Sequence, residues 1–112
     1  MAAVRQPQPY YETSIRAHIV GHRTVLAVAG EIDLQTAPAL AAAIDKALAA
    51  GAAELWVDLG ATQFMDSSGL HALVSAHRRI QGLNRRLAVI CPRRHPVRRL
   101  FEIGRASCRE RV

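Results

Sequence analysis

Apolar and polar residues alternate with a period of two over residues 14–20, and a β-branched apolar run follows over residues 24–29. Such alternation is typical of a half-buried strand, and Gly21, His22 and Arg23 between the two runs are typical of a turn. The pattern therefore predicts a β-hairpin.

A helical period replaces the alternation over residues 37–50. Three apolar side chains recur every fourth residue along this stretch: Leu40, Ile44 and Leu48. Thr36 stands where a capping residue is expected, Pro38 falls in the first turn, and Gly51 follows where helices commonly end. We expect a helix that packs one face on a sheet.

The second half of the chain repeats the order of strand and helix. Residues 55–59 (LWVDL) form a nearly continuous apolar run, which predicts a central parallel strand covered on both faces. A connection over residues 60–65 then leads to a helix from residues 66–68 (DSS) to about Gly82. Residues 86–90 (RLAVI) predict another buried strand.

A third helix is predicted after Pro96, because apolar residues follow at helical spacing: Val97, Leu100 and Phe101. Parallel neighbouring strands need long, right-handed crossover connections, and the predicted helices supply them. The predicted fold class is α/β, a mixed and mostly parallel four-stranded sheet with an N-terminal hairpin and helices packed on it.

Three segments divide the chain. Residues 1–13 alternate glutamine with proline and show no period, which predicts a flexible leader. Residues 14–102 form one predicted domain. Residues 103–112 lack any helical stripe and look like the translated read-through of a common sequencing adapter, so we expect a non-native tail that leaves the domain truncated at its C-terminal end.

Composition excludes several classes of protein. No apolar run approaches the roughly 20 residues of a membrane-spanning helix, and the first residues lack the apolar centre of a secretory signal, so a cytoplasmic protein is expected. Cys91 and Cys108 are the only cysteines, and no metal-ligand spacing accompanies them. The sequence therefore predicts neither a disulfide framework, nor a metal site, nor a cofactor.

The net charge of +6 raises the question of nucleic acid as a partner. The excess comes largely from arginine pairs on predicted helix faces and loops, with almost no aromatic residues among them. This distribution favours solvated arginines over a nucleic-acid groove.

Ser67 and Ser68 occupy the predicted start of the second helix, beside unpaired backbone N–H groups and the positive end of the helix dipole. A phosphate is favoured at such a position, and Asp66 would oppose its charge. Position alone favours a helix cap for Ser68, Ser67 is the better candidate for the structural cap, and Asp66 is either a capping or a partner-facing carboxylate. Gly69 permits a close approach of the helix start to its neighbours.

Residues 64–70 (FMDSSGL) resemble the signature of STAS-domain anti-sigma factor antagonists. Residues 30–33 (GEID), 57–59 (VDL) and 96–101 (PVRRLF) resemble other segments of that family, and the resemblance covers residues 14–101. It implies that Ser68 is the phosphoacceptor. It also implies a partner-binding surface formed by six residues: Glu31, Asp33, Asp66, Ser67, Ser68 and Gly69.

The resemblance implies a regulatory protein without enzymatic activity of its own. The unphosphorylated form would bind an anti-sigma factor with serine kinase activity and so release the sigma factor, and phosphorylation of Ser68 would abolish that binding. A phosphoserine phosphatase would restore the cycle. No direct contact with nucleic acid and no membrane span are expected.

The sequence is also compatible in part with two other functions. A hydrolase with Ser68 as nucleophile would need a nearby base, and the chain has no Gly-x-Ser-x-Gly elbow. A STAS subunit that regulates a membrane lipid- or anion-transport system stays open as the alternative. His71 and His77 are six residues apart on the second helix, too far around it to bind one metal ion as neighbours.

Overall fold

The computed structural model describes residues 13–91, so the predicted tail, nearly all of the leader and the helix expected after Pro96 lie outside the described residues. Four strands and two helices alternate within that part of the chain: β1 (Ser14–Val20), β2 (Arg23–Ile32), α1 (Ala37–Ala49), β3 (Glu54–Met65), α2 (Ser67–Gln81) and β4 (Arg86–Ile90).

The four strands form one sheet in the order β1-β2-β3-β4. β1 and β2 are antiparallel and form the predicted hairpin, whereas β2 and β3, and β3 and β4, are parallel. Helices α1 and α2 connect the parallel strands, as expected for crossovers. The predicted mixed, mostly parallel α/β sheet is confirmed.

The hydrophobic core lies between the sheet and the two helices. Alternate residues of β3, namely Leu55, Val57 and Leu59, are buried together with helix residues that include Leu40, Ile44, Leu73 and Ile80. Burying such side chains stabilises the fold by about 1.5–3 kcal/mol each. The same contacts hold both helices against the sheet.

The expectation that residues 55–59 are covered on both faces is wrong within the described residues, because Trp56 and Asp58 are only partly buried. Two successive right-handed crossovers that advance in one direction across a sheet place both helices on the same face. The alternation of burial along β3 follows from that handedness.

Strand β3 is longer than the sequence predicts, because residues 60–65 continue the pairing with β2 instead of forming a connection. The register shifts between Ala27 and Ala29 and again between Gly30 and Glu31, and each shift inserts one extra residue into β3. Thr62 is buried between these bulges, and its hydroxyl donates to the Val28 carbonyl oxygen at 2.9 Å. The bulges bring the ends of β2 and β3 to the same edge.

Helix α1 ends as its sequence predicts. Its last residue is Ala49, and Gly51 adopts a φ of +92°, a left-handed conformation that glycine adopts without steric cost. Cys91 is buried next to the core, and Cys108 lies outside the described residues. No helix of the described part is both long and apolar enough to cross a membrane.

Candidate functional site

Strands β2 and β3 end together at one edge of the sheet. Ile32 pairs with Met65 at the ends of the two strands, and the Asp66 N–H donates to the Ile32 carbonyl oxygen at 3.1 Å. The chain that leaves β2 and the chain that leaves β3 therefore start side by side. We call this region the Ser68 edge; it contains the six residues that the sequence analysis singled out: Glu31, Asp33, Asp66, Ser67, Ser68 and Gly69.

Asp66 caps helix α2. Its backbone is extended, with φ −102° and ψ −170°, and its carboxylate Oδ1 accepts a hydrogen bond from the Ser68 N–H at 2.8 Å. The prediction of Ser67 as the structural cap is wrong, because Ser67 is already the first helical residue and is exposed. The carboxylate one residue earlier satisfies the unpaired N–H instead.

Ser68 is the second residue of α2 and is partly exposed. Its hydroxyl lies in the first helical turn, where backbone N–H groups and the helix dipole favour an anion. The Asp66 carboxylate already occupies one of these donors, the Ser68 N–H itself. A phosphate on Ser68 would thus be favoured by the helix and opposed by its nearest carboxylate.

Gly69 lets the start of α2 pack directly on the two strand ends. It is buried, and a Cβ atom at this position would stand 2.6 Å from Met65 Cγ and 2.7 Å from Ile32 Cγ2. Such distances are too short for carbon atoms, so any side chain would move the helix or the strands. The close approach expected from the sequence fixes the distance between Ser68 and the sheet.

The loop after β2 is held by Asp33. Its carboxylate Oδ1 accepts from the Gln35 N–H at 3.0 Å and from the Thr36 N–H at 3.1 Å. These bonds, above all the one from the Thr36 N–H, lower the pKa of the Asp33 carboxyl below its ordinary value. Asp33 is therefore an ordered carboxylate at the edge.

Thr36 has a different role from the predicted one. Its side chain makes no cap bond to α1; instead the hydroxyl accepts from the Asp33 N–H at 2.8 Å and donates to the Glu31 carbonyl oxygen at 2.9 Å. The Thr13 hydroxyl donates to the same carbonyl oxygen at 2.6 Å. Thr36 thus ties the backbone of Glu31 and Asp33 to the start of α1.

The Ser68 edge is acidic although the chain carries a net charge of +6. Three carboxylates lie there, those of Glu31, Asp33 and Asp66. Within residues 13–91 the ion pairs are Arg23 with Glu54, at 3.4 Å, and Arg79 with Asp45, at 2.6 Å, and neither includes a residue of the edge. The described side chains of the edge therefore carry a net negative charge.

Two large apolar side chains at this edge were not predicted as functional. Leu34 follows Asp33 and is 76% exposed, and Phe64 pairs with Glu31 in register and is 49% exposed. Both side chains are exposed near carboxylates of the edge, which makes them candidates for contact with a partner. The sequence contains only a weak sign of this exposure, because Leu34 belongs to no periodic pattern of apolar residues and Phe64 lies in the segment that was predicted to be a connection.

The histidines of α2 lie away from any cluster. His71 and His77 are both exposed. Across residues 13–91, histidine, cysteine, aspartate and glutamate side chains nowhere form a group of three or more that could hold a metal ion.

The chain matches a protein-family model and curated relatives. The family model described as "Mlab, STAS domain" matches residues 15–107. The anti-sigma-F factor antagonist RsfB of Mycobacterium tuberculosis is 39% identical over 69 residues, which are 60% of this chain and 57% of that protein. The chain thus matches less than two thirds of the length of this curated relative.

Solved structures share the fold. The crystal structure of an anti-sigma factor antagonist from Mycobacterium paratuberculosis has a TM-score of 0.76 and 29% identity, and the match covers 83% of this chain and 78% of that one. The anti-sigma factor antagonist SpoIIAA in its unphosphorylated form has a TM-score of 0.69 and 24% identity, covering 81% and 80% of the two chains. The latter similarity shows the fold alone.

Proposed function

Since this chain belongs to the STAS domain family, we propose that it is an anti-sigma factor antagonist that is switched at Ser68. In its unphosphorylated form it binds an anti-sigma factor that has serine kinase activity, and the sigma factor is released. Phosphorylation of Ser68 abolishes the binding, and a phosphoserine phosphatase restores it. The names of the relatives support the class of partner.

One observation carries the proposal: a partly exposed serine in the first turn of a helix, at an edge that is both acidic and apolar. Exposure makes the hydroxyl accessible to a kinase. The Asp66 cap and the Gly69 contact hold it in a fixed place. A phosphate there changes the surface that a partner meets without changing the core.

The unphosphorylated edge offers two kinds of contact. Leu34 and Phe64 supply apolar surface that a partner can bury, and buried apolar side chains commonly carry most of the binding energy. The carboxylates of Glu31, Asp33 and Asp66 favour a partner that presents basic side chains around the apolar contact. Together they select a partner by shape and by charge.

Phosphorylation adds about −1.5 to −2 charges and three acceptor oxygens beside the Asp66 carboxylate. The phosphoryl group passes from the γ-position of ATP to Ser68 Oγ, the hydroxyl loses its proton, and ADP leaves. The helix dipole offsets part of the added charge, so the fold is retained. The added volume and charge reduce the complementarity between this surface and a partner that fits the free Ser68 hydroxyl, so the partner is released.

In this cycle Ser68 is a substrate and the chain is a binding protein. The partner performs the phosphoryl transfer, and this chain contributes the position and accessibility of the acceptor hydroxyl. The edge needs no general base of its own, since the kinase supplies the group that orients the attacking oxygen.

The test is phosphorylation by the cognate anti-sigma factor and ATP, followed by intact mass and peptide mapping. The wild-type chain should gain one phosphate, on Ser68. Ser67→Ala should gain it equally well, since it is the matched neighbouring hydroxyl, and Ser68→Ala should gain none. Phosphate on Ser67, or none on the wild-type chain, would contradict the proposal.

The alternative, a STAS subunit that regulates a membrane lipid- or anion-transport system, does not require phosphate on Ser68. Its test is a binding titration with the transport subunits encoded beside the chain's own gene. Binding to those subunits, together with no binding to an anti-sigma factor, would replace the proposed function with this one.

A further inference from the structure

An open groove of about 670 Å³ lies between β1 and α1, toward the end of the sheet opposite the Ser68 edge. Its floor is formed by Ile15, Ala17 and Ile19 of β1 and by Leu26 of β2. Its wall is formed by Ala43, Ala47 and Ala50 at the end of α1. We call this region the β1–α1 groove; the proposed function does not use it.

The floor of the groove is apolar, and its β1 side is exposed at Ala17 and Ile19. The period of two in β1 places Ile15, Ala17 and Ile19 on the face that carries α1. Ala17 is exposed, and Ile19 is 76% exposed, the same fraction as Leu34 at the other edge. Within residues 13–91, the two crossover helices leave this margin of the sheet open.

The wall of the groove suits a helix. Ala43, Ala47 and Ala50 follow one another at intervals of four and three residues, so they share one side of α1. Their small side chains allow a second helix to come close to α1. A helix in this place would lie on the floor of β1 and extend the layer formed by α1 and α2.

The ionisable side chains of the groove are basic. Among the residues that the structure describes, Lys46 and His22 are the ionisable ones that line it, Lys46 is the charged one, and no carboxylate does so. Asp45, the neighbour of Lys46 in the chain, is paired with Arg79 of α2 on another side of the helix. The rim therefore complements an occupant that carries carboxylates.

We propose that the β1–α1 groove binds an acidic amphipathic helix of a partner protein. The seven residues of β1 span roughly 23 Å, a length that a helix of about 15 residues matches. The apolar stripe of that helix would lie on Ile15, Ala17 and Ile19, and glutamates or aspartates on its flank would face Lys46. This is the helix-in-groove mode of recognition.

The groove and the Ser68 edge lie at opposite ends of the parallel strands, so binding in the groove is independent of the phosphorylation state of Ser68. A partner held there stays bound through the whole cycle. The inference rests on the shape and charge of the groove and does not depend on the identity of the partner at the Ser68 edge.

A chemical feature of the chain makes the test specific: Lys46 is its only lysine. The probe is a synthetic, acetylated, fluorescein-labelled helix of about 15 residues with leucines along one face, glutamates on its flanks and no lysine. A carbodiimide joins carboxylates to amines without a spacer. It should join this probe to Lys46, and Lys46→Arg should keep the binding while it loses the cross-link.

Fluorescence anisotropy with the full chain gives the affinities. The probe should bind the wild-type chain. It should bind Ala17→Glu and Lys46→Glu with an affinity that is roughly tenfold lower. Leu83→Glu replaces another exposed apolar residue, outside the groove, and should bind like the wild type, as should Ser68→Asp. A matched probe with arginines in place of the glutamates should bind roughly tenfold more weakly than the acidic one.

Several results would overturn the inference. These are no binding, equal binding of both probes, an equal loss in Leu83→Glu, or a cross-link only at the N-terminal amine. Self-association in sedimentation velocity that Ala17→Glu abolishes would assign the groove to a second copy of the chain instead. Displacement of the probe by monomeric dodecanoate, with tighter binding than the probe, would assign it to an acyl chain. If Ala17→Glu does not fold by circular dichroism, the two Lys46 variants decide the outcome.

Discussion

The Ser68 edge and the β1–α1 groove lie on one sheet and are built in different ways. The edge is acidic and is held by hydrogen bonds from the Ser68 N–H to Asp66, at 2.8 Å, and from the Thr36 N–H to Asp33, at 3.1 Å. The groove is apolar, has a basic rim and is shaped by the packing of small side chains. Although the net charge of the chain is +6, its described carboxylates at the edge and its exposed apolar floor in the groove therefore lie in separate regions that suit different partners.

The largest expected effect tests the apolar part of the Ser68 edge. Changing Leu34 and Phe64 together to serine should weaken binding of the anti-sigma factor by about 3 kcal/mol, roughly a hundredfold in Kd. The double variant should still fold, because both side chains are largely exposed. Isothermal titration calorimetry measures the change.

Leu83→Ser combined with Ile19→Ser is the matched control for that double variant, because these side chains are equally exposed and lie away from the edge. The control should bind the anti-sigma factor like the wild type. Equal losses in both double variants would mean that the Ser68 edge has no special role in binding.

The next largest effect concerns the close packing of Gly69, which positions Ser68. Gly69→Ala places a methyl group against Met65 and Ile32 and should lower the free energy of unfolding by about 2 kcal/mol, even though alanine favours helices. Gly82→Ala is the control, since φ is −76° there and the nearest atom is at 3.6 Å. Chemical denaturation should show little change or a small gain for the control. A fully stable Gly69→Ala would contradict the tight contact.

A smaller expected effect is the loss of stability that distinguishes the cap residue Asp66 from its neighbour Ser67. Asp66→Ala removes the acceptor of the Ser68 N–H and should cost about 1 kcal/mol of stability. Ser67→Ala should change stability by less than about 0.5 kcal/mol, because Ser67 is exposed and is not the cap. Thermal unfolding of the two variants compares them. A larger loss in Ser67→Ala would reverse the assignment.

The smallest effect is a dependence on pH at the other side of the edge. The Thr36 N–H lowers the pKa of the Asp33 carboxyl below its ordinary value of 3.8, so this group stabilises the fold above that pH. The stabilisation is lost as the pH falls through the lowered pKa. Asp33→Asn should therefore lose less stability than the wild type between about pH 5 and pH 2. Parallel unfolding curves for the two proteins across that range would contradict the role of Asp33.

Periodic elements of the fold were predictable from the sequence, and irregular ones were not. Strand β4 and helix α2 were predicted correctly, because a continuous apolar run marks β4 and one helical apolar period runs through α2. The predicted end of β3 was wrong, because two bulges break the alternation of apolar and polar residues along the strand. Without that alternation, the sequence of a paired strand resembles that of a loop. Coverage of β3 depends on the order of the strands in the sheet, because two right-handed crossovers that advance in one direction place both helices on one face, and no local pattern contains that order.

The candidate site divides in the same way. The motif placed Ser68 at the start of a helix, but three neighbouring residues can all cap, and only the extended backbone of Asp66 decides between them. At the start of α1 the sequence correctly placed Thr36 at the N-cap position, but it did not show that the Thr36 hydroxyl bonds the backbone before the helix. Leu34 and Phe64 had no period to mark them, since their exposure follows from the turn after β2 and from the bulged end of β3.

The switch at Ser68 is tested most directly by the Kd of the anti-sigma factor for the same purified chain before and after phosphorylation of Ser68. The Kd values for Ser68→Asp and Ser68→Ala are measured in the same experiment. We expect tight binding by the unmodified chain and by Ser68→Ala, and binding weakened by about a hundredfold or more after phosphorylation. Ser68→Asp should fall between them, because it adds one charge and less volume. Equal affinity of the phosphorylated and unphosphorylated chains for the anti-sigma factor would contradict the proposal that phosphorylation of Ser68 abolishes binding.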